Sequence, residues 1–233
     1  MLSETSPQTK ITEHLALRAD EPASDRLTAF LAAAFLVSVP VFIQAPLVRF
    51  QPWVSLSITL VWLISGFYML RQRPFSLWGD LAIGFSWTWL AGSLYWGWLR
   101  ENPYVHLPIE AIGLPIVLVL IGQSRFKIGS YFYLGSLLGT AITDIYFYWV
   151  GLIPYWRQVM QVEPTAVGSV LQAALSQIAN PIAAVRACIL LAILIVVGGL
   201  AIKSDKAYWW AFAGAVLSTI LVDTLFLITA ILA

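Results

Sequence analysis

Polar positions along this chain are too rare to mark out faces; they mark out ends. Apolar blocks occupy residues near 28–48, 53–70, 75–99, 105–123, 128–152, 182–202 and 207–232, separated by short clusters of charge and proline. A helix needs about 20 residues to cross the hydrocarbon core of a bilayer. Backbone groups in lipid must find partners within their own segment, so each block is predicted to be a helix. The expected architecture is therefore all-α, a polytopic membrane helical bundle of about seven transmembrane helices. Pro40 and Pro46 predict a kink or an early end in the first helix. Pro108 and Pro115 interrupt the fourth, which leaves open a re-entrant segment instead of a full crossing.

Two stretches depart from this pattern. Residues 1–27 mix Lys10, Arg18 and Arg26 with Glu4, Glu13, Asp20, Glu21 and Asp25, and read as a disordered cytosolic tail ahead of a 28–233 membrane domain. The positive charge does not directly precede the apolar run, as it would in a signal peptide. The longest connection is 153–181. Within it Val167, Val170, Leu171, Ala174, Leu175 and Ile178 share one helical face. That spacing predicts an amphipathic helix lying on the outer interface, packed over the mouth of the bundle.

Composition agrees with a bilayer as the solvent: of 233 residues, 60% are hydrophobic and 11% charged. A net charge of +1 gives no basic patch for nucleic acid. One cysteine, Cys188, and two histidines, His14 and His106, leave no disulfide framework and no metal site expected. The basic residues orient the chain. With seven crossings, Lys10, Arg18, Arg26, Arg71, Arg73, Arg125, Lys127, Lys203 and Lys206 fall on one side, and Arg49, Arg100, Arg157 and Arg186 on the other. The excess predicts a cytoplasmic N-terminus. The last block has no lysine for a Schiff base, which disfavours a retinal protein.

The blocks also repeat. "GSLLGTAITDIYF" (135–147) and "GAVLSTILVDTLF" (214–226) share Gly, Leu, Thr, Asp and Phe at the same spacings. "PIEAI" opens block four and "PIAAV" opens block six. We read a duplicated helical hairpin, spans four–five and six–seven, in parallel orientation, an arrangement common in transporters. Gly135, Ser136, Gly139 and Thr140, with Gly214, Ser218 and Thr219, make close-packing faces that would set both helices at the centre.

The candidate chemistry sits on this repeat. Counting at about 1.5 Å per residue puts Asp144, Asp223, Glu110 and Arg186 in the outer half of the bundle, with His106 at its edge. Each charge in lipid costs at least about 2.5 kcal/mol, so the group is expected to face inward as one polar cluster. Arg186 should pair with one carboxylate, and Asp144 and Asp223 should face each other as pseudo-symmetric ligands of a cation, proton or polar headgroup. Thr140 and Thr219, one turn before each aspartate, would support them. The bland alternative is that the acids pin helices together. His106 and Glu110, spaced i,i+4, suggest a proton relay. Asp80 lies apart, near the other side. In block three, Trp78, Phe85, Trp89 and Trp96 form a stripe on which a flat ligand such as a quinone, carotenoid or chlorophyll would stack, with ordinary packing as the alternative.

The segments "LWGDLAIGFSWTWLAGSLYWGW" (77–98), "HLPIEAIGLP" (106–115), "YLGSLLGTAITDIYFYWVGLIPYWRQVM" (133–160) and "WWAFAGAVLSTILVD" (209–223) resemble an uncharacterised family of cyanobacterial integral membrane proteins, a domain of unknown function. The resemblance implies a cyanobacterial membrane, thylakoid or plasma, and no activity, cofactor or catalytic residue. Three readings follow. The first is a small transport or substrate-binding membrane protein with an acidic intramembrane site in its outer half. The second is an assembly factor presenting helices to partners in a photosynthetic or respiratory complex. The third is a lipid or isoprenoid enzyme, ranked last because no nucleophile, metal or diphosphate motif is present.

Overall fold

The computed structural model describes residues 22–233, and among these every regular element is a helix. Most of the stretch read as a tail lies outside the described residues. Its end does not: α1 (Ala23–Phe50) begins before residue 28 and runs unbroken through Pro40 and Pro46, past the early end those prolines predicted. It is followed by α2 (Pro52–Leu70), α3 (Ser76–Leu94), the short α4 (His106–Glu110) and α5 (Leu114–Gly122). Then come α6 (Lys127–Val150), α7 (Ile153–Gln161), α8 (Val167–Ile178), α9 (Pro181–Ile202) and α10 (Ala207–Leu232).

Five helical stretches are long and apolar enough to cross a membrane: α1, α2, Pro103–Gly122, α9 and α10. The pair α6 and α7, bent by 101° at the break between them, would make a sixth. The apolar blocks predict seven. The helix that drops out is α3, which Asp80 and many Trp, Ser, Thr and Gly residues make too polar. It is also the one that needs lipid least. Leu81, Phe85, Ser86, Trp89 and Ser93 are all buried, because α3 packs between α2 and α6.

Small residues set the spacing of the core helices. A Cβ on Gly84 of α3 would collide with the backbone of Gly129 on α6, and one on Gly129 with the Asp80 carbonyl. Farther along α6, Gly135 faces Phe212 and Ala215 of α10, and Gly139 receives the Thr219 side chain. On the opposite side of α10, Gly214 lies against the Phe30 carbonyl of α1. The central row is thus α3, α6 and α10, with α2, α1 and α9 on its flanks. Exposed side chains on the flanks are apolar, such as Leu60, Ile64, Ile195 and Leu200.

Contacts between connections gather at two ends. At one, Arg26 pairs with Asp205 at 2.8 Å, the Lys127 ammonium lies 5.6 Å from the Tyr208 ring centre, and Phe67 meets Phe126 edge-on. At the other, Trp53 packs on Trp98, and the Trp156 indole donates to the Arg100 carbonyl. There, too, the Arg186 guanidinium donates to the Trp149 carbonyl. At this second end α6 stops at Gly151, whose φ of 76° suits glycine, and Leu152 N–H returns to the Phe147 carbonyl at 2.8 Å. The chain turns into α7, a helix within the connection 153–181 where the apolar pattern predicts helix only over 167–178. The helix read from the apolar face at 167–178 forms as α8, and its Ala174 and Ile178 pack against Val150, Leu152 and Ala183.

Candidate functional site

The central feature of the second end is a row of three titratable side chains drawn from two elements. His106, the first residue of α4, is 8% exposed, and Asp144 of α6 is 3% exposed. His106 Nδ1 lies 2.9 Å from Asp144 Oδ1 and 3.0 Å from Oδ2, so the carboxylate holds that edge of the ring with both oxygens. On the other edge, Nε2 lies 3.8 Å from Glu110 Oε1. That is an ion-pair distance, longer than a hydrogen bond. A proton on Nδ1 donated to Asp144 leaves the Nε2 lone pair directed toward Glu110. The two acids occupy opposite ring nitrogens and do not converge on one point. Among the described residues, no group of three or more His, Cys, Asp or Glu side chains is placed to hold a metal ion.

Broken helices surround this row. The α-helix of α4 ends at Glu110, and a 3-10 turn over Ala111–Gly113 intervenes before α5. Pro115 explains the break, since it has no N–H to return to residue 111. The Tyr133 hydroxyl, from α6, donates to the Glu110 carbonyl at 2.7 Å and satisfies a backbone group at the break. The second irregularity is a π-turn at the end of α3, Tyr95–Leu99. It presents fully buried Tyr95 to His106, ring centres 4.3 Å apart. π-Turns inside helices concentrate at functional sites. From α7, Trp156 closes the row: its ring is 5.3 Å from His106 and stacks within 4° of parallel on Trp96.

The predicted cluster divides in three. His106, Glu110 and Asp144 come together. Asp223 does not join them: it accepts from the Thr143 hydroxyl at 2.9 Å, on a different face of α6 from Asp144. The expected facing pair of aspartates is therefore absent, because successive residues on a helix point about 100° apart. Among the described residues, Arg186 pairs with no carboxylate. Its guanidinium donates to the Trp149 carbonyl and lies 5.5 Å from the Trp149 ring centre, at the rim. Of the supporting threonines, Thr219 packs on Gly139 and donates weakly to the Ala215 carbonyl at 3.4 Å, while Thr140 is half-buried. The aromatic stripe is split as well. Phe85 and Trp89 are core residues against Trp62, Trp78 is 43% exposed, and Trp96 belongs to the His106 site.

Sequence reasoning missed Tyr95, Tyr133 and Trp156 as site residues. A π-turn has no signature in apolar periodicity, and Trp156 lay in a supposed loop. It also left Asp80 unexplained. Asp80 accepts from the amides of Gly129 at 2.9 Å and Ile128 at 3.1 Å, so it caps the start of α6 from another helix. Phe126, with φ of 48°, has no side-chain oxygen to offer there.

Residues 33–231 match the family model described as "Protein of unknown function (DUF3120)", and the chain belongs to that family. No curated protein and no solved structure matches it.

Proposed function

We propose that this is a multi-pass membrane protein whose working centre is a proton-carrying site, Asp144–His106–Glu110, serving transport or substrate binding from the outer side. The observation that carries the reading is the placement of that row. A buried histidine sits between two acids where two helices lose their α geometry. Broken helices at the level of a buried polar site are how transporters expose backbone and side chains to a ligand. No lysine or arginine is in the row, and a fixed charge in lipid is costly, so the row suits exchangeable protons better than a permanent ion pair.

The reading includes seven crossings. The alternation of contacts between two ends supports it, because Arg26, Phe126 and Asp205 meet partners at one end and Trp98, Trp149 and Trp156 at the other. Being covered by neighbours, α3 would cross without being apolar. The basic residues put the N-terminus in the cytoplasm and the His106 row toward the outside. α7 then lies across the outer mouth, with Trp156 between the row and water. The family resemblance favours a cyanobacterial membrane.

The test is proton uptake into proteoliposomes loaded with a pH-reporting dye and driven by a potassium diffusion potential. The wild-type protein is expected to exceed empty liposomes, and Asp144→Asn and His106→Gln to remove that excess. No protein-dependent uptake by correctly inserted wild type, or full uptake by folded Asp144→Asn, would overturn the reading.

A further inference from the structure

A second feature lies at the end of α6 opposite the His106 row. Three connections and the helix starts they lead into bring Arg71, Arg73, Arg125, Lys127, Lys203 and Lys206 to that end. Basic residues gather there in any chain inserted with that side inward, so most of them point to no ligand. Lys127 differs from the others in what surrounds it.

The acids near Lys127 are already engaged. Asp80 gives its two oxygens to the amides of Ile128 and Gly129. Asp205 is held by Arg26 at 2.8 Å, and the Arg26 guanidinium lies 5.7 Å from the Trp210 ring centre. The Lys127 ammonium instead lies 5.6 Å from the ring centre of Tyr208. Residues two apart on a helix point about 200° from each other, so the Arg26–Asp205 pair and Lys127 sit on opposite sides of α10. Among the described residues, Lys127 joins no ion pair.

Lys127 also heads a graded row of side chains. Tyr131, one turn into α6, has its ring centre 4.6 Å from that of Tyr208 and 4.7 Å from that of Trp209. Trp209 meets Phe212 edge-on at 5.6 Å. All five side chains are half-buried. Among the described residues neither phenol makes a hydrogen bond, and both hydroxyls and the ammonium reach the surface. From the helix ends inward the order is ammonium, phenol, indole, phenyl. A small soluble anion would use only the first members of that order, and a bare hydrocarbon only the last. A molecule that matches the whole row carries negative charge at the boundary and an apolar body beneath it. The ammonium and the two phenols supply unused donors for phosphate oxygens, and the indole and phenyl rings supply an apolar wall at the depth where acyl chains begin.

We infer that Lys127, Tyr131 and Tyr208 bind the phosphate of an anionic phospholipid, with Trp209 and Phe212 against its glycerol and upper acyl chains. The inference rests on the membrane reading but not on the proton row.

The test is native mass spectrometry of the full chain in mild detergent, with phosphatidylglycerol, phosphatidylcholine or glycerol 3-phosphate added. Phosphatidylglycerol is expected to be retained in preference to phosphatidylcholine, and equimolar glycerol 3-phosphate not to displace it. Lys127→Gln should weaken its retention about tenfold, the worth of one hydrogen bond to a charged group. Lys127→Arg keeps the charge and should keep most of the retention. Arg125→Gln removes the same charge from the same end, but on the α2 side, where the guanidinium lies 5.8 Å from the Phe126 ring centre and Phe126 meets Phe67. Its effect should stay within about twofold, because a separate solvated charge is screened. Equal losses from Lys127→Gln and Arg125→Gln would describe a diffuse basic surface and overturn the site. Equal retention of phosphatidylcholine would overturn the choice of an anionic lipid. Displacement by glycerol 3-phosphate would make this a site for soluble phosphate and overturn the lipid. Unchanged retention in folded Lys127→Gln would overturn the role of the ammonium and the proposal with it.

Discussion

Asp144 and Asp223 stand at matching positions of two similar stretches, 135–147 and 214–226, and their surroundings differ. Asp144 is 3% exposed and holds His106 with both oxygens. Asp223 is half-buried and, among the described residues, accepts a side-chain hydrogen bond from Thr143. The cause is in the preceding helix of each hairpin. Aligning Pro108 with Pro181 sets His106 against Ala179 and Glu110 against Ala183. In the first hairpin that helix is short and broken, and it delivers an imidazole. In the second it is the unbroken α9, and Ala183 packs into a small apolar cluster with Val150 and Leu152. A buried acid takes its chemistry from what a neighbour brings to it. The two stretches share the acid and differ in the partner.

The comparison can be broken most forcefully at His106. His106→Ala leaves Asp144 buried with no base, and is expected to cost about 3 kcal/mol of stability. The check is resistance to denaturation in mild detergent, and His106→Leu with Asp144→Leu together should recover most of the loss. Next in size is proton uptake: Asp144→Asn is expected to lose at least about tenfold, equivalent to roughly 1.4 kcal/mol, and Asp223→Asn to stay within about twofold. Equal losses from both would restore a symmetric pair of ligands. Smaller again is Thr143→Val, which removes one hydrogen bond at Asp223 and should cost about 1 kcal/mol in the same denaturation assay, with uptake unchanged. The smallest effect belongs to Arg186→Gln, at the rim against Trp149, expected within about 0.5 kcal/mol of wild type.

Much of the frame was legible from residue type alone. Apolar blocks about twenty residues long marked the helices, as they do in chains whose solvent is lipid. Gly135, Gly139 and Gly214 pointed to close helix contacts because only small residues permit them. The site was legible in half. His106, Glu110 and Asp144 were candidates because ionisable groups in such segments stand out. Which acids would meet was not legible, since depth along a helix axis says nothing of direction around it. One step of sequence separates Thr143, which turned to Asp223, from Asp144, which turned to His106. The aromatic walls were hidden for another reason: Tyr95 stands on a π-turn, whose extra residue shifts every later side chain around the helix.

The cap that Asp80 places on α6 has a consequence for the order of biosynthesis. As the chain emerges from the ribosome, α3 is complete some thirty residues before the amides of Ile128 and Gly129 exist, and it is the long helix least able to enter lipid unaided. Its carboxylate has no helix end to bind, and Gly84 has no Gly129 to pack against. If α3 crosses, as the seven-crossing reading proposes, such a segment would wait at the insertion machinery or along the bilayer surface until α6 arrives, and the two would then settle as a pair. On that reading, the contact that holds α3 in the finished bundle would also be the event that completes its insertion. Truncating the nascent chain before Lys127 should leave the loop after α3 on the wrong side of the membrane, and extending it past α6 should correct that, as a glycosylation or protease-access map would record.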